Sequence, residues 1–300
     1  SAAGCVTGKP LSQGGIDGRT EATGLGVFYA TRDFLDDPEI AASVGLSTGI
    51  AGKSVVVQGF GNVGYWAAKF FSDAGAKIVG VVEYNGAISC PDGIDVDELL
   101  AYKQANGKLT GFPGSTELAA PEDGLELDCD ILVPAATEKS IHKDNAANIK
   151  AKIISEGANG PVTPFAEDIL AEKGAIVLPD MLVNAGGVTV SYFEWLKNLQ
   201  HVRFGRMTKK WEERGKRVMI DALEKDREVA RRLSDEERRM LIVGPSEKDI
   251  VYSGLEDTMA RAVQETIETS RKYNCSMRMA GFINAINKIY VCYVEAGVTI

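Results

Sequence analysis

Three glycines in one short segment have the spacing of a phosphate-binding turn. The segment Gly59–Gly64 reads Gly-x-Gly-x-x-Gly and directly follows the apolar run Ser54–Gln58. In a strand–turn–helix unit, the first glycine permits the tight turn, the second lets backbone approach a pyrophosphate, and the third lets the helix pack closely on the sheet. The first N–H groups of that helix lack intrahelical partners, and the helix dipole is positive there, so they attract an anion. The segment therefore predicts a site for the pyrophosphate of a dinucleotide.

A carboxylate follows at the distance such a site requires. The run Ala76–Val82 predicts the next strand, and Glu83 ends it, 19 residues after Gly64. A carboxylate at this place accepts hydrogen bonds from an adenosine ribose. A glycine turn alone is weak evidence, because 32 of the 300 residues are glycine and an ordinary crossover without a ligand can use the same turn. The strand before, the helix after and the acid at the end of the next strand together favour dinucleotide binding.

The charge of Glu83 also bears on the choice of dinucleotide. It would repel the 2′-phosphate of NADP, and the segment Tyr84–Ala87 contains no Arg or Lys to offset that charge. The sequence therefore predicts NAD as the cofactor, with NADP as a second cofactor still open.

The elements that position these residues alternate along the chain. Apolar runs at Asp130–Pro134, Lys152–Ile154 and Ala175–Leu178 predict further strands, with helical patterns between them and a nearly continuous helical pattern from Gly187 onward. This order predicts an α/β fold, with a doubly wound Rossmann-type sheet followed by a helical C-terminal region. Ligands of such sheets bind beyond the carboxyl ends of the strands. The loops expected to meet there are those at Gly59, Glu83, Ala135, Asn159 and Asn184.

Several finer features also carry expectations. Gly24 and Gly26 lie inside a predicted helix, where close approach of another backbone or of a ligand would explain them. Ser234–Glu237 and Ser246–Asp249 each have the pattern of a capped helix start. The mixed charges of Arg203–Leu233 predict a solvated helix rather than a surface for nucleic acid.

Composition excludes several functional classes. The formal net charge is −9, which disfavours a nucleic-acid binder. The five cysteines have no C-x-x-C spacing, and the two histidines, His142 and His201, are far apart, so neither a disulfide framework nor a metal site is expected. No apolar run is long enough to cross a membrane, and Ser1–Gly4 lacks the pattern of a signal peptide, so a secreted protein is not expected.

Three longer motifs point to a family. At Gly14–Arg19, Glu156–Pro161 and Asn184–Trp195, the chain closely resembles the C-terminal portion of the glutamate dehydrogenases, in the glutamate/leucine/phenylalanine/valine dehydrogenase superfamily. The resemblance runs from about Gly8 to Ile300. It implies NAD-dependent oxidative deamination of L-glutamate to 2-oxoglutarate and ammonia by a homo-oligomer, expected to be a hexamer. The expected location is the mitochondrial matrix in a eukaryote and the cytoplasm in a bacterium.

The resemblance also implies roles for individual residues. Arg19 and Thr23 match positions that bind the amino acid, and an arginine fork suits a carboxylate. Val188 and Ser191 match positions that line its side chain, where the hydroxyl of Ser191 suits glutamate better than an apolar amino acid. The plainer alternatives are a loop salt bridge for Arg19 and helix-surface hydroxyls for Ser191 and Thr23. The implied cofactor residues, with Asn159 and Asn184 near the nicotinamide, are Gln58, Gly59, Phe60, Gly61, Asn62, Val63, Gly64, Glu83, Ala135, Ala136, Asn159 and Asn184.

The resemblance finally implies a division of the protein into parts. The catalytic Lys and Asp of the family lie in an N-terminal substrate domain that this chain does not include, so no catalytic residue is assigned here. Two other functions remain open: a non-catalytic dinucleotide-binding or assembly subunit, and a dehydrogenase of an apolar amino acid. The expected parts are a junction with the substrate domain (1–24), the NAD-binding domain (25–198), an antenna-like helical insertion (199–245), and a pivot helix with a C-terminal helix (246–300).

Overall fold

The computed structural model describes residues 4–200, 209–225 and 233–297. They form two compact units: one comprises Ser1–Arg19 and Val190–Gly254, and the other comprises Thr20–Thr189 and Leu255–Ile300. We call them the first and the second unit. His201 and two stretches of the predicted charged helix, 203–208 and 226–232, lie outside the described residues. The four-part division expected from the sequence stays a prediction.

The second unit contains a seven-stranded sheet with the order β4-β3-β2-β1-β5-β6-β7. Five neighbouring strands, β2, β1, β5, β6 and β7, are parallel. Strands β3 and β4 extend the β2 edge of the sheet as antiparallel strands. From β1 the chain first moves outward to β2 and later returns to β5 on the other side of β1, so the sheet has a switch point between β1 and β5. The predicted doubly wound α/β fold is confirmed. The strands are β1 (Ser54–Gln58), β2 (Lys77–Glu83), β3 (Gly86–Ser89), β4 (Thr116–Glu117), β5 (Ile131–Pro134), β6 (Ile153–Ser155) and β7 (Ile176–Leu178).

The centre of this sheet is completely buried because its strands carry apolar side chains on both faces. Val55, Val56 and Val57 of β1 are completely buried, and Val57 pairs with Val81 of β2 on one side and Val133 of β5 on the other. Continuous apolar runs of this kind are typical of parallel strands covered on both faces. The burial fixes the carboxyl ends of the strands, from which the functional loops emerge.

Helices alternate with these strands and continue after them. In the second unit α1 packs against α3 and α6, and α11 packs against β7. Helix α7 begins in the second unit and α10 in the first, and each includes residues of both units. The helices are α1 (Ala22–Asp36), α2 (Pro38–Ser43), α3 (Asn62–Asp73), α4 (Val96–Asn106), α5 (Pro164–Glu172), α6 (Asp180–Val183), α7 (Gly186–Gln200), α8 (Lys209–Lys225), α9 (Asp235–Val243), α10 (Glu247–Tyr273) and α11 (Met277–Glu295).

The glycines inside α1 are explained by close contact with backbone. A Cβ at Gly24 would lie 2.6 Å from the backbone nitrogen of Ala67 in α3, and a Cβ at Gly26 would lie 2.8 Å from the Cα of Gly186 in α7. Any larger residue at either position would push these helices apart. The expectation of close backbone approach is thus confirmed for both glycines.

The first unit contains the opening segment of the chain and several charged helices. The predicted start of α9 is confirmed: Ser234 Oγ accepts a hydrogen bond from the N–H of Glu237, and the Glu237 carboxylate accepts one from the N–H of Ser234. Ser246 and Asp249 make the same reciprocal pair at the start of α10. Each pair satisfies two N–H groups that a helix start would otherwise leave without partners.

Two features are absent from the described ranges. Within residues 4–200, 209–225 and 233–297, no helix is long and apolar enough to cross a membrane. In the same part of the chain, no three His, Cys, Asp or Glu side chains lie close enough together to hold a metal ion.

Candidate functional site

The glycine turn between β1 and α3 has the backbone geometry that its sequence predicts. Gly59 has a φ of +87°, and a Cβ there would lie 2.8 Å from the carbonyl oxygen of Ala135. A Cβ at Gly64 would overlap the carbonyl oxygen of Gly59, so α3 can start this close to the turn only with glycine at that position. These two glycines therefore bring the N-terminus of α3 directly above the end of β1.

The same turn leaves room for an anion at the start of α3. Gly61 is the N-cap residue, no side chain in the described ranges caps the helix, and the space that a Gly61 Cβ would enter is open. The N–H groups of the first helical turn are consequently available to a ligand. At the end of β1, Gln58 Oε1 is buried without a hydrogen-bond partner in the described part of the chain. An uncapped helix start and an unused acceptor fit a bound dinucleotide.

Glu83 is hydrogen-bonded to the backbone of this turn. Glu83 Oε1 accepts a hydrogen bond of 2.7 Å from the backbone N–H of Phe60. Lys103 of α4 donates to the same oxygen at 2.6 Å and to the carbonyl oxygen of Phe60 at 2.9 Å. The backbone N–H and the backbone carbonyl oxygen of Phe60 are therefore both bonded to the Glu83–Lys103 ion pair. Because these contacts, taken over the described residues, use only Oε1, Glu83 Oε2 is left to accept hydrogen bonds from a ribose.

Lys103 is a functional candidate that the local sequence pattern does not reveal. The segment Tyr84–Ala87 beside Glu83 contains no cation, and the cation comes instead from α4, 20 residues after Glu83. The sequence signal was a lysine in the last turn of the helix that follows the acidic strand end. Its relevance could not be recognised without knowing that β3 turns back along β2 and that α4 packs against α3.

The loops after five strands lie side by side at the carboxyl edge of the sheet. The N–H of Gly59 donates to Val82 at 2.7 Å and that of Ala135 donates to Gln58 at 2.7 Å. The N–H of Ala158 donates to Pro134 at 2.9 Å, which extends the same pattern toward β6. In consequence the half-buried residue Ala135 and the exposed loop residue Ala136 lie next to the glycine turn, where a Cβ at Gly59 would come within 2.9 Å of the Ala136 Cβ.

Asn159 and Asn184 meet beyond β6 and β7. Asn184 Nδ2 donates to Asn159 Oδ1 at 2.7 Å and makes a longer contact of 3.4 Å with the carbonyl oxygen of Ala158. Asn159 is exposed and Asn184, which ends α6, is half-buried. The structure therefore brings these two predicted residues together, on the opposite side of the glycine turn from Glu83.

A buried carboxylate supports the two loops that carry these asparagines. Glu156, which follows β6, is completely buried; its Oε2 accepts from the N–H of Asp180 at 2.7 Å and its Oε1 from Arg278 at 2.8 Å. Burial raises the pKa of Glu156, and the guanidinium of Arg278 opposes that rise without cancelling it. Arg278 has a raised pKa because its carboxylate partners outweigh the effect of burial. No local sequence pattern connects this loop with Arg278, which lies more than a hundred residues later.

In the first unit, Arg19 and Ser191 form a direct pair. Arg19 Nε donates to Ser191 Oγ at 2.8 Å, and across the described residues this is the only hydrogen bond that Arg19 makes and it has no acidic partner. The terminal nitrogens of the guanidinium can therefore bind a carboxylate in the bidentate manner. Of the plainer alternatives, the loop salt bridge for Arg19 is not observed in the described ranges, and Ser191 is more than a surface hydroxyl.

The segment before Arg19 is held by α7. Glu194 is completely buried and pairs with Lys9 at 2.5 Å while accepting from the N–H of Gly8 at 2.9 Å. Burial raises the pKa of Glu194, but these contacts outweigh it and the pKa lies below its usual value. Asn198 donates to the carbonyl oxygen of Gly14 at 3.0 Å. The charged form of Glu194 thus helps to fix the segment that ends in Arg19.

The other two predicted substrate residues lie in the second unit. Thr23 is half-buried in the first turn of α1, and its hydroxyl makes no hydrogen bond to any residue in the described part of the chain. Val188 is 69% exposed in the first turn of α7. Nothing about the surroundings of Thr23 or Val188 identifies a ligand, and the roles of both residues stay predictions.

Comparison with known proteins identifies the family. A sequence model of the glutamate/leucine/phenylalanine/valine dehydrogenase family matches residues 14–240. The chain belongs to this family. It is 55% identical over 293 residues to the mitochondrial glutamate dehydrogenase of Dictyostelium discoideum, a match that covers 98% of this chain and 58% of that protein. The glutamate/leucine/phenylalanine/valine dehydrogenases use a nicotinamide dinucleotide, which agrees with the glycine turn and Glu83.

Solved structures agree with this membership of the dehydrogenase family. The hetero-hexameric glutamate dehydrogenase of Thermus thermophilus, in a leucine-bound form, is 28% identical with a TM-score of 0.75; the match covers 99% of this chain and 58% of that one. The glutamate dehydrogenase of Peptoniphilus asaccharolyticus is 30% identical with a TM-score of 0.70, again covering 99% of this chain and 58% of that one. The chain therefore spans a little over half the length of the relatives that it matches.

Proposed function

We propose that this chain is the dinucleotide-binding portion of a glutamate dehydrogenase, an enzyme that converts L-glutamate to 2-oxoglutarate and ammonia with NAD. The observation that carries the proposal is the hydrogen bond that joins the glycine turn to Glu83. This bond brings together an uncapped helix start, which suits a pyrophosphate, and a carboxylate oriented by the Phe60 N–H, which suits a ribose. The family to which the chain belongs supplies the reaction class.

The proposed roles of the cofactor residues follow from their places on the sheet. Gly59, Gly61 and Gly64 let the pyrophosphate approach the first turn of α3, and Glu83 Oε2 accepts from the adenosine ribose. The bound nicotinamide supplies the reaction with a hydride acceptor. Asn159 and Asn184 lie beyond β6 and β7, on the side of the turn away from Glu83, so they suit the nicotinamide half. The remaining proposed contacts are those of Gln58, Phe60, Asn62, Val63, Ala135 and Ala136.

The proposed substrate residues are Arg19, Thr23, Val188 and Ser191. The Arg19 guanidinium binds a carboxylate of the amino acid through its terminal nitrogens, since its Nε is occupied by Ser191. The Ser191 hydroxyl accepts that bond and can donate its own proton to an acidic substrate side chain. An apolar amino acid would leave this donor unpaired, which disfavours leucine or valine as the substrate.

NAD is the proposed preferred cofactor, with NADP accepted less well. Glu83 favours NAD because its carboxylate repels a 2′-phosphate and accepts hydrogen bonds from a free ribose hydroxyl. Lys103 weakens that repulsion, because its ammonium group lies 2.6 Å from Glu83 Oε1. The pair as a whole is close to neutral, which supports tolerance of NADP.

Removing the charge of Lys103 tests this view of cofactor choice. We expect Lys103→Met to raise the ratio of kcat/KM for NAD to that for NADP by about tenfold, since a phosphate would then meet an unbalanced carboxylate. Lys77→Met is a matched control, because Lys77 begins β2 at the end of the strand opposite Glu83. Equal ratios in the wild type and both variants would show that Lys103 does not act on cofactor choice.

The proposed activity is tested with the full-length protein. Glutamate and NAD should produce NADH, detected by its near-ultraviolet absorbance, whereas leucine, phenylalanine and valine should give much lower rates. Faster turnover of an apolar amino acid would reassign the substrate. If the full-length protein binds NADH but turns over none of these amino acids, the chain is a non-catalytic dinucleotide-binding subunit instead.

Assembly and location are also proposed from the relatives. A homohexamer is proposed, and native mass spectrometry of the full-length protein would distinguish it from a mixed assembly such as the hetero-hexamer from Thermus thermophilus. The Dictyostelium relative is mitochondrial, which supports the mitochondrial matrix for a eukaryotic source; a bacterial source would place the protein in the cytoplasm. Microscopy of the tagged full-length protein tests the former.

A further inference from the structure

Arg278, in the first turn of α11, joins three separate segments of the second unit. Its Nη2 donates to Glu156 at 2.8 Å, its Nε to Glu167 at 2.5 Å and its Nη1 to Asp180 at 3.2 Å. These carboxylates belong to the loop after β6, to α5 and to the start of α6. One guanidinium therefore pairs with carboxylates from three separate segments of the second unit.

Two of these three carboxylates hold the backbone around the asparagine pair. Glu156 Oε2 accepts from the N–H of Asp180, and Asp180 Oδ2 accepts from the N–H of Gly160 at 2.8 Å. Gly160 directly follows Asn159, and Asp180 begins α6, of which Asn184 is the C-cap residue. The loop that carries Asn159 and the helix that carries Asn184 are consequently linked through the partners of Arg278.

The charge of Arg278 is needed for this linkage. Glu156 is completely buried, and burial raises its pKa, so that without the guanidinium the carboxylate would either take up a proton or lose its buried place. A protonated or displaced Glu156 accepts fewer hydrogen bonds from the loop and from α6. The separation of Asn159 and Asn184, now bridged by a bond of 2.7 Å, would then no longer be fixed.

The position of the asparagine pair says which part of a dinucleotide would sense this change. Glu83 ends β2 on one side of β1, whereas the pair lies beyond β6 and β7 on the other side. With the pyrophosphate at the glycine turn and the adenosine ribose at Glu83, the nicotinamide half extends toward β6. Resting on the proposed function, we propose that Arg278 is a positioning residue that fixes Asn159 and Asn184 for the nicotinamide half of the dinucleotide.

A comparison of two ligands separates this role from a general effect on folding. NADH contains both halves of the dinucleotide, whereas ADP-ribose lacks only the nicotinamide. We expect Arg278→Gln in the full-length protein to raise the dissociation constant of NADH about tenfold, as a misplacement of positioning groups does. The dissociation constant of ADP-ribose, measured by the same calorimetric titration, should change less than about twofold.

Three further variants make the experiment specific. Arg278→Lys keeps the charge but cannot donate to three carboxylates at once, so it should raise the ratio of the two dissociation constants by a smaller factor. It also serves if Arg278→Gln does not fold. Glu167→Gln changes the carboxylate partner of Arg278 that does not take part in the bonds between the Asn159 loop and α6. Arg271→Gln removes an arginine that bridges Asp37 and Glu39 elsewhere in the second unit. Both should leave the ratio unchanged.

The results that overturn the proposal are distinct. An unchanged ratio in both Arg278 variants, or parallel weakening of NADH and ADP-ribose, would show that Arg278 has only a structural role. The same conclusion follows if Arg271→Gln shifts the ratio as much as Arg278→Gln does. If the wild-type protein binds neither ligand, the proposed function itself fails and this inference fails with it.

Discussion

Gly61 and Gly64 lie three residues apart in the same turn, yet a methyl group would meet different surroundings at each. At Gly61 the methyl would enter open space at the mouth of the anion site, and the φ of −87° suits alanine. At Gly64 it would overlap the carbonyl oxygen of Gly59. One glycine therefore serves a ligand and the other serves the packing of α3 on β1.

This difference predicts that alanine at Gly61 affects ligand binding, whereas alanine at Gly64 affects stability. We expect Gly61→Ala to change the free energy of unfolding by less than about 1 kcal/mol while weakening NADH binding about tenfold. Gly64→Ala should lower the free energy of unfolding by about 1–3 kcal/mol, because α3 must shift to admit the methyl group. Urea unfolding and NADH titration check both. If Gly61→Ala binds NADH normally, the pyrophosphate does not approach at this point.

Ser191 makes a second prediction at the scale of single residues. Ser191→Ala removes the acceptor of the Arg19 Nε and the donor proposed for the substrate side chain. We expect the KM for glutamate to rise about tenfold, the usual effect of losing a hydrogen bond to a charged group, with the KM for NAD unchanged. Thr189→Ala is the matched control, because within the described residues the Thr189 hydroxyl bonds only to the carbonyl oxygen of Ala185, immediately before α7. An unchanged KM for glutamate would remove Ser191 from the site.

Single residues also show how far sequence reasoning reaches. Glu83 could be found because its place depends only on the spacing of one strand–helix–strand unit. Lys103 and Arg278 could not, since their roles arise from contacts with residues 20 and 122 positions away. Such contacts depend on how helices pack against the sheet, and a local pattern contains no record of that packing.

At the scale of elements, Asp130 joins the beginnings of three neighbouring strands. Its Oδ2 accepts from the backbone N–H of Ser54 at 3.0 Å, and its Oδ1 pairs with Lys152 at 2.9 Å. Burial raises the pKa of Asp130, but the bonds from Ser54 and the charge of Lys152 outweigh it and hold the pKa below its usual 3.8. These contacts lie at the amino ends of β1, β5 and β6, opposite the proposed site.

This lowered pKa gives a prediction with a defined sign. A carboxyl group whose pKa is lower in the folded state contributes stability above its unfolded pKa, and this contribution is lost as the pH falls through the folded value. We expect Asp130→Asn to lower the free energy of unfolding by about 1–2 kcal/mol near pH 7, and the difference from the wild type to shrink below about pH 4. Urea unfolding at both pH values checks this. A difference that persists at low pH would contradict a role for the charge.

The elements also differ in how well the sequence predicts them. β1 was predicted with its observed ends, because its apolar run lies between clear turn residues, and the start of α9 was predicted because Ser234 and Glu237 form a capping pair. β3 and β4 were not predicted. They have four and two residues, too few for a periodic pattern. The Tyr84–Asn85 turn folds β3 back along β2, and β4 then pairs with β3.

At the scale of the whole molecule, α11 has an apolar stripe that remains exposed. Ile286 and Ile289 are 62% and 58% exposed, and the stripe recurs every three or four residues along the helix. A continuous exposed apolar surface of this kind is typical of an interface. Its members at this spacing are Met279, Phe282, Ile286, Ile289 and Tyr293, and further exposed apolar residues near the end of the helix are Tyr290, Val291 and Val294.

The length of the relatives suggests what covers this stripe. The chain spans 58% of the Dictyostelium protein, and we propose that the substrate domain expected from the family resemblance covers the stripe in the full-length protein. We expect the double substitution Ile286→Lys and Ile289→Lys to reduce self-association of the 300-residue chain, measured by light scattering. Its free energy of unfolding should change by less than about 0.5 kcal/mol, because both side chains are exposed and lysine favours a helix at least as well as isoleucine.

The same double substitution should have the opposite consequence in the full-length protein. If the substrate domain covers the stripe, two lysines would be buried there without partners, and the thermal midpoint should fall by several degrees. Ile250→Lys is a control, because Ile250 is 54% exposed in a different helix; it should change neither measurement. If the full-length protein tolerates the double substitution as well as the 300-residue chain does, α11 is not covered by that domain, and this proposal is wrong.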